Sequence, residues 1–283
     1  MSIVGIIRKI ISLFVKPNIT YANVVTVQSG ELLNNRLALI TGGTSGIGMA
    51  IGDAYLKEGC DVAITGRNEE KLKSVVKCLT EKHPERKIYG LQLDNTDVKS
   101  FETKVSEVEA YFSKNIDILV NNAGVGGGDI HKLKEDDYDA VMNTNLKGCF
   151  FLSKIISDRM KVNHVKGNIL NVASSSSLRP ATSAYIISKW GVKGVTIGLA
   201  KILIKDNIVV NGIAPGPTAT PMMFPNGSDN IYLPNNPSKR YAMPEEIANM
   251  AVFLVSDMGR LIVGDIVYMT GGAGTITVDD IPY

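Results

Sequence analysis

The chain has 283 residues, a formal net charge of +2, 45% hydrophobic residues and 20% charged residues. This balance is typical of a soluble globular protein with a sizeable core, and it shows no positive excess that would indicate a nucleic-acid partner. The three cysteines and three histidines are scattered without metal-ligand spacing. We therefore predict no metal site, and free thiols in a reducing, cytoplasmic compartment.

The start of the chain differs in character from the rest. We predict an N-terminal amphipathic extension over residues 1–34, ahead of a single domain over residues 35–283. Within residues 2–16, apolar side chains recur at helical spacing and are interrupted by Arg8 and Lys9. This stretch is too short and too charged for a membrane span, which needs about 20 apolar residues. Packing on the domain, a subunit interface and peripheral membrane contact all stay open, and we favour packing on protein.

Strands and helices alternate through the rest of the chain. The predicted strands are short apolar runs, as expected of parallel strands that helices cover on both faces. They span residues 37–41, 61–65, 88–93, 116–121, 167–173, 207–213 and 265–269. Helical patterns lie near residues 46–58, 68–82, 97–113, 135–160, 183–204 and 244–256. The alternation predicts a single-domain α/β fold, a Rossmann-type doubly wound parallel sheet with helices on both faces and ligands beyond the carboxyl ends of its strands.

A glycine-rich turn, Thr-Gly-Gly-Thr-Ser-Gly-Ile-Gly at residues 41–48, joins the first strand to the first helix. Gly42 permits the tight turn, Gly46 lets the backbone approach a pyrophosphate, and Gly48 lets the helix pack closely on the strand. The helix N-terminus adds unpaired N–H groups and a partial positive charge. The turn therefore predicts a dinucleotide-phosphate site. Its expected contact residues are Gly42, Thr44, Ser45, Gly46, Ile47 and Gly48.

Tyr185 and Lys189 are one helical turn apart, so both lie on the same face of a helix. The positive charge of a lysine at this spacing favours the phenolate form of the tyrosine, which suits a general acid/base. Such pairs are common neighbours in proteins. The motifs around this pair therefore decide its meaning.

Taken together, these motifs resemble the compact, single-domain branch of the short-chain dehydrogenase/reductase family, including its NADP-dependent members similar to 3-oxoacyl-carrier-protein reductase. The glycine signature at residues 41–48 matches every fixed position of the family pattern. The further family landmarks are Asn121-Asn122-Ala123-Gly124, Asn145, Ser174, Tyr185, Lys189 and Pro215-Gly216. The resemblance covers residues 35–272. It implies an enzyme that interconverts a carbonyl and a secondary alcohol by hydride transfer.

The resemblance assigns four catalytic roles. Tyr185 would exchange the proton with the substrate oxygen, and Lys189 would favour its phenolate and hold the nicotinamide ribose. Ser174 would orient the carbonyl oxygen. Asn145 would hold a water that passes protons to Lys189. The alternatives left open are Ser176 in place of Ser174 and Asn143 in place of Asn145.

The end of the second strand predicts the cofactor. Many NAD-preferring relatives place an acidic residue there, whereas this chain has Gly66 followed by Arg67, whose guanidinium would pair with a 2′-phosphate. NADP(H) is therefore favoured, while NAD(H) and a merely solvated Arg67 stay open, because Ser45 stands where many NADP-preferring relatives carry a basic residue. By resemblance, the rest of the cofactor contacts Asp94, Asn95, Asn122, Ala123, Gly124, Tyr185, Lys189, Pro215, Gly216, Thr218 and Thr220.

The remaining predictions concern Asp94 and two loops. Asp94 is either an adenine contact or a helix N-cap, or both. Gly126 to Gly128 form a mobile turn or a hinge near the substrate, and we favour the turn. Residues 217–243 are predicted to form the substrate loop. Its apolar side chains suit a lipid-like, steroid-like or acyl substrate, and they are Met222, Met223, Phe224, Tyr232 and Leu233.

The resemblance to the family also implies the partners of the protein, and one alternative function stays open. We expect a small-molecule carbonyl or alcohol substrate, and a homodimer or homotetramer built through the helix after Lys134 and the helix of Tyr185. Glycines on the latter helix suit either such an interface or internal packing. A redox sensor or scaffold of the same fold is the alternative to an enzyme. Competent residues at all four catalytic positions favour the enzyme.

Overall fold

The computed structural model describes residues 30–224 and 230–276. The predicted helix over residues 2–16 and the part of the substrate loop over residues 225–229 lie outside the described residues. Among the helices of the described ranges, none is both long and apolar enough to cross a membrane.

Residues 30–34 pack against the domain. The backbone N–H of Leu33 donates to the carbonyl of Glu58 (2.8 Å), and the Leu33 side chain is fully buried. The Glu58 carboxylate also accepts from the backbone N–H of Gly30 at 2.7 Å. The packed part of the chain therefore begins before Asn35, the boundary predicted from the sequence.

The predicted doubly wound α/β fold is confirmed. The strands are β1 Leu37–Ile40, β2 Asp61–Gly66, β3 Ile88–Gln92, β4 Ile118–Asn121, β5 Asn168–Val172, β6 Val209–Pro215 and β7 Ile266–Met269. The helices are α1 Gly46–Lys57, α2 Glu69–Lys82, α3 Phe101–Phe112, α4 Glu135–Met142, α5 Gly148–Val162, α6 Ala184–Leu203 and α7 Pro244–Val255. The strands form one parallel seven-stranded sheet in the order β3-β2-β1-β4-β5-β6-β7.

Successive residues of each strand enter two different cores, because side chains alternate across a sheet. In β1, Ala38 and Ile40 pack against α1, α2 and α7, whereas Leu37 and Leu39 pack against α3, α5 and α6. All four side chains are fully buried. Burying a leucine or isoleucine side chain stabilises the fold by about 1.5–3 kcal/mol. In a sheet that helices cover on both faces, every residue of a central strand can contribute in this way, so the strand is apolar throughout.

The helix predicted near residues 135–160 is divided in the structure. A π-helical turn, Asn143–Lys147, separates α4 from α5. Such turns are frequent at functional sites, and this one contains Asn145. The helix predicted from residue 97 also differs, because a 3₁₀ turn over Val98–Ser100 precedes α3.

The sheet order reverses between β1 and β4, and both strands end at the same edge. In open parallel sheets, ligands bind in the crevice at such a reversal. The turn after β1, the loop after β4 and the start of α6 therefore meet where a ligand would bind.

Candidate active site

A cavity of about 450 Å³ opens at this edge of the sheet. It is lined by most of the predicted site residues, namely Gly42, Thr44, Ser45, Gly46, Ile47, Arg67, Asp94, Asn95, Asn122, Ala123, Gly124, Tyr185, Lys189 and Thr220. The remaining predicted residues do not line it, and they are Gly48, Asn145, Ser174, Pro215, Gly216 and Thr218. The cavity thus brings the glycine-rich turn and the Tyr185–Lys189 pair into one space.

The glycine-rich turn and the start of α1 form one wall of the cavity. Gly42 and Gly46 have φ angles of 65° and 55°, a region that favours glycine. Ser45 is the extended N-cap residue of α1, and its hydroxyl makes no capping hydrogen bond. Because the first N–H groups of a helix have no acceptor within it, those at the start of α1 are available to a phosphate.

Gly48 holds this wall in place without lining it. A β-carbon at Gly48 would lie 2.3 Å from the Asn122 Nδ2 and 2.5 Å from the Gly42 carbonyl oxygen. The Asn122 Nδ2 donates to the carbonyls of Thr41 (2.9 Å) and Gly42 (3.1 Å). The Thr41 hydroxyl in turn accepts from the backbone N–H groups of Asn122 and Ala123, both at 3.0 Å. The turn after β1 and the loop after β4 therefore form one rigid unit.

Two cations mark the end of β2. Arg67 is exposed there, and Lys71 lies one turn into α2, where its backbone N–H donates to the Asn68 side chain at 2.8 Å. Both line the cavity, and neither forms an ion pair within the described residues. A β-carbon at Gly66 would lie 2.6 Å from the Thr44 Cγ2, so an acidic side chain at this position would have to displace Thr44. Lys71 was not among the residues predicted from the sequence, although it lies only four residues after Arg67.

Asp94 and Asn95 follow β3. The Asp94 carboxylate accepts from the backbone N–H and the hydroxyl of Thr96, both at 2.8 Å, and the backbone hydrogen bond lowers the Asp94 pKa. Asp94 therefore caps a turn and not the helix, which begins at Phe101. The Asn95 Nδ2 donates to the Thr144 carbonyl (2.8 Å), while its buried Oδ1 has no partner within the described residues. This orphaned acceptor fits a donor from a bound ligand.

Tyr185 and Lys189 lie near the start of α6. The Ser183 hydroxyl caps this helix by accepting from the backbone N–H of Ile186 at 3.3 Å. The Lys189 Nζ lies 5.6 Å from the centre of the Tyr185 ring and donates to the Val172 carbonyl at 2.8 Å. The ammonium is thus buried at the end of β5 next to the phenol, and both groups reach the cavity.

Asn145 lies behind the cavity wall in the π turn and is buried. Its Oδ1 accepts from the Val125 N–H at 2.8 Å. Its Nδ2 donates to the Val125 carbonyl at 3.0 Å and to the Ser188 hydroxyl at 3.1 Å. A β-carbon at Gly124 would lie 3.4 Å from this Oδ1 and 3.7 Å from the Lys189 Nζ, so the amide and the ammonium both border Gly124. Asn143, the alternative, instead lines a separate surface hollow.

Ser174 follows β5 and begins a 3₁₀ turn, Ser175–Leu178. Its Oγ accepts from the backbone N–H of Ser176 at 3.1 Å, and Ser174 itself is buried. Within the described part of the chain, its hydroxyl hydrogen has no acceptor. Ser176 is buried in the same turn.

Of the predicted residues that follow β6, Thr220 lines the cavity. Gly216 and Thr218 precede it and make contacts within the domain. A β-carbon at Gly216 would lie 2.9 Å from the Thr270 Cα. The buried Thr218 donates its hydroxyl to the Gly216 carbonyl at 3.0 Å. These contacts hold the start of the segment that was predicted to be the substrate loop. Pro221 and Met222, which follow Thr220, also line the cavity.

Comparison with known proteins decides the family. A family model described as short chain dehydrogenase matches residues 36–230. The chain belongs to the short-chain dehydrogenase/reductase family. The resemblance stated from its motifs is therefore confirmed.

Relatives cover nearly the whole described domain. A 3alpha-hydroxysteroid dehydrogenase of Mediterraneibacter gnavus is 33% identical over 247 residues, which are 86% of this chain and 98% of that protein. A 3-oxoacyl-acyl-carrier-protein reductase of Thermotoga maritima is 36% identical over 245 residues, 85% of this chain and 98% of that one. Like these members of its family, the chain is an oxidoreductase of the dehydrogenase/reductase class.

Solved structures agree. Levodione reductase superposes with a TM-score of 0.80 at 28% identity, covering 87% of this chain and 100% of that one. A short chain dehydrogenase of Burkholderia cenocepacia in complex with NADP superposes with a TM-score of 0.76 at 31% identity, covering 87% and 100%.

Proposed function

We propose that this protein is an NADP(H)-dependent oxidoreductase that interconverts a carbonyl and a secondary alcohol, with Tyr185 as its general acid/base. The observation that carries the proposal is the shared cavity, in which the anion-binding start of α1 and the Tyr185–Lys189 pair line the same space. A nucleotide held at one end would place its reactive ring toward the other.

Preference for NADP(H) is supported by the charges at the end of β2. Arg67 and Lys71 line the cavity without a close ion pair in the described ranges, although the Arg67 charge also acts on Asp94, and the Ser45 hydroxyl makes no capping bond. A 2′-phosphate offers oxygens to all three groups, and a guanidinium binds such an anion at two points. The solved relative in complex with NADP is consistent with this assignment.

The chemistry follows from the groups beside the cavity. When bound, the nicotinamide supplies or accepts the hydride. Tyr185 gives its proton to the substrate oxygen in reduction and takes it back in oxidation, with the buried Lys189 ammonium 5.6 Å from the centre of its ring. One Lys189 N–H is held by the Val172 carbonyl at 2.8 Å, which leaves two donors for ribose hydroxyls. The Ser174 hydroxyl hydrogen is the candidate donor to the substrate oxygen.

Asn145 lies behind the cavity wall, next to these catalytic groups. Both ends of its side-chain amide are hydrogen-bonded within the protein. Among the described residues, the Oδ1 accepts only the Val125 N–H, so its second lone pair is left for a water that would pass protons to Lys189.

The substrate we propose is an apolar carbonyl compound of lipid, steroid or acyl type. Met222 lines the cavity and is 64% exposed, and Met223 beside it is 47% exposed. Thioether side chains adapt to irregular apolar shapes, so these residues suit such a substrate. Phe224 and Tyr241 stack edge to face, with ring centres 4.8 Å apart, at the base of this loop.

A homodimer or homotetramer is part of the proposal. On α6, Gly194 and Gly198 have no atom within 4 Å of an added β-carbon, and Trp190 is 43% exposed. Gly191 differs, because a β-carbon there would lie 2.6 Å from Leu146 of the same chain. The open glycines and the exposed tryptophan favour a second copy against this helix. A cytoplasmic location is also proposed, and the three unpaired cysteines are consistent with it.

Nicotinamide absorbance during turnover tests the activity. The panel comprises ketoacyl, ketosteroid, quinone and sugar substrates, with NADPH or NADH for reduction and the oxidised cofactors for oxidation. We expect NADPH-dependent reduction of an apolar ketone. Tight NADPH binding without turnover of any substrate would instead favour the redox sensor or scaffold.

Cofactor preference is tested by Arg67→Ala combined with Lys71→Ala. We expect the KM for NADPH to rise about 10- to 100-fold while that for NADH stays within about twofold, because only NADPH carries the phosphate. Lys73→Ala is the matched control, since Lys73 lies on the same helix but pairs with Glu69 at 2.6 Å. An equal loss for both cofactors would contradict the assignment.

A further inference from the structure

Ser188 lies in α6 between Tyr185 and Lys189 and is fully buried. Its hydroxyl donates to the Tyr185 carbonyl at 2.7 Å and accepts from the Asn145 Nδ2 at 3.1 Å. A serine has a single hydroxyl hydrogen, and the Tyr185 carbonyl takes it. The oxygen lone pairs are therefore left to receive the Asn145 amide.

The same amide reaches the cavity wall. Asn145 bonds both backbone groups of Val125, receiving its N–H at 2.8 Å and donating to its carbonyl at 3.0 Å. Val125 lines the cavity directly after Gly124. A continuous chain of hydrogen bonds thus runs from the cavity wall through Asn145 and Ser188 to the backbone of Tyr185.

We propose that Ser188 is a positioning residue of the active site. It fixes the orientation of the Asn145 amide, and through that amide it sets the π turn and the loop after β4 relative to Tyr185 and Lys189. The inference rests on the proposed function of the catalytic pair. Ser188 itself touches neither cofactor nor substrate, since it does not line the cavity.

The physical reason lies in the irregular backbone around Asn145. A π turn pairs backbone groups five residues apart, as the Gly148 N–H does with the Asn143 carbonyl, and the bonds of the Asn145 side chain add to this pairing. Loss of the Ser188 hydroxyl would leave the Asn145 Nδ2 with the Val125 carbonyl as its remaining acceptor. The amide and the turn would then sample orientations that the present contacts exclude.

A matched serine separates this role from ordinary helix packing. Ser157 in α5 is also buried, and its hydroxyl donates to the carbonyl three residues earlier, that of Lys154, at 3.0 Å. Ser188 bonds the Tyr185 carbonyl at the same spacing. Within the described residues, only Ser188 of these two makes an additional bond to a proposed catalytic residue.

The kinetic test compares Ser188→Ala with Ser157→Ala, and with Asn145→Ala alone and combined with Ser188→Ala, all in the full chain. We expect Ser188→Ala to lower kcat about 5- to 50-fold with the KM for NADPH within about twofold, and Ser157→Ala to match the wild type. The double variant should lose no more than Asn145→Ala, because Ser188 acts through that amide. Wild-type kcat in Ser188→Ala, or losses that multiply in the double variant, would overturn the inference.

Hydrogen exchange gives a readout that does not depend on turnover. We expect Ser188→Ala to speed exchange at least about fivefold in peptides covering residues 123–128 and 143–147, with no change in Ser157→Ala. Unchanged exchange in these peptides would overturn the inference. If the wild type turned over no substrate while these peptides responded, the proposed function would fail and the coupling through Ser188 would stand.

Discussion

A β-carbon at Gly127 would lie 3.1 Å from the backbone nitrogen of Tyr185 and 3.4 Å from its β-carbon. The glycine loop after β4 is therefore seated on the start of α6, where an antiparallel bridge between Asp129 and Ser183 also joins the two segments. We interpreted this loop from the sequence as a mobile turn. Its contact with Tyr185 gives Gly127 a specific place in the site.

Gly127→Ala should therefore disturb the tyrosine. A methyl group there forces Tyr185 or the loop to shift by a few tenths of an ångström, and we expect kcat to fall about 3- to 30-fold with little change in NADPH affinity. Gly128→Ala is the control, because an added β-carbon there meets no atom within 4 Å. Equal kcat values for the two variants would show that this contact does not position Tyr185.

Gly48→Ala tests the rigid unit at the phosphate end. The new methyl group would lie 2.5 Å from the backbone oxygen of Gly42, which cannot move without opening the turn. We expect NADPH affinity to fall at least about tenfold and the free energy of unfolding to fall by about 1–3 kcal/mol.

The control for this variant lies one turn further along the same helix. At Gly52 an added β-carbon makes ordinary contacts of 3.6 to 3.9 Å with Ile64, Ile40 and Val62. Alanine also has a better helix propensity than glycine by about 1 kcal/mol, so Gly52→Ala should keep or raise stability. Calorimetry and fluorescence titration measure both variants, and the same NADPH affinity in both would contradict the role of Gly48.

Thiol reactivity should follow burial. Burial raises the pKa of Cys149 to about 12 and that of Cys60 well above its ordinary value, whereas Cys78 is exposed. Because the thiolate is the reactive form, a disulfide reagent at neutral pH should label Cys78 alone in the native protein and all three cysteines after unfolding. In Cys78→Ser, rapid labelling of the native protein would contradict this assignment.

The Arg240–Glu246 pair should make stability depend on pH. Two hydrogen bonds of 2.7 Å from Arg240, helped by the N–H of Met243, lower the Glu246 pKa to about 2. A carboxyl with a lower pKa in the folded state stabilises above its unfolded pKa of about 4.3, and this contribution is lost as the pH falls toward about 2. The effect is small because both side chains are about 40% exposed.

Urea unfolding near pH 6 and near pH 3 measures this contribution. We expect Glu246→Gln to lose less stability between the two values than the wild type does, because its amide does not titrate. Glu245→Gln, which changes an exposed neighbour, is the control. An identical pH dependence in Glu246→Gln and the wild type would show that Glu246 does not contribute to the pH dependence of stability.

The sequence predicted the architecture well because strands buried on both faces must be apolar throughout, as β1 is from Leu37 to Ile40. The sequence also predicted that Tyr185 and Lys189 lie on one face of a helix, because a spacing of four residues is enough to place them there. The π turn around Asn145 could not be predicted, because Leu146 is the only apolar residue of Asn143–Lys147 and one apolar residue cannot reveal a change of helical period. The hydrogen-bond partners of the Asn145 amide, Ser188 and Val125, could not be predicted either, because only the tertiary fold brings them near Asn145.

The effect of Tyr185→Phe on turnover and on NADPH binding tests directly whether Tyr185 is the proton donor. Removing the phenol oxygen should lower kcat about 10²- to 10⁴-fold, with the Kd for NADPH within about threefold, because all the other proposed nucleotide contacts stay intact. Tyr138→Phe, on α4 and outside the cavity lining, should keep wild-type values. Turnover in Tyr185→Phe at the wild-type rate would contradict the assignment of Tyr185 as the proton donor.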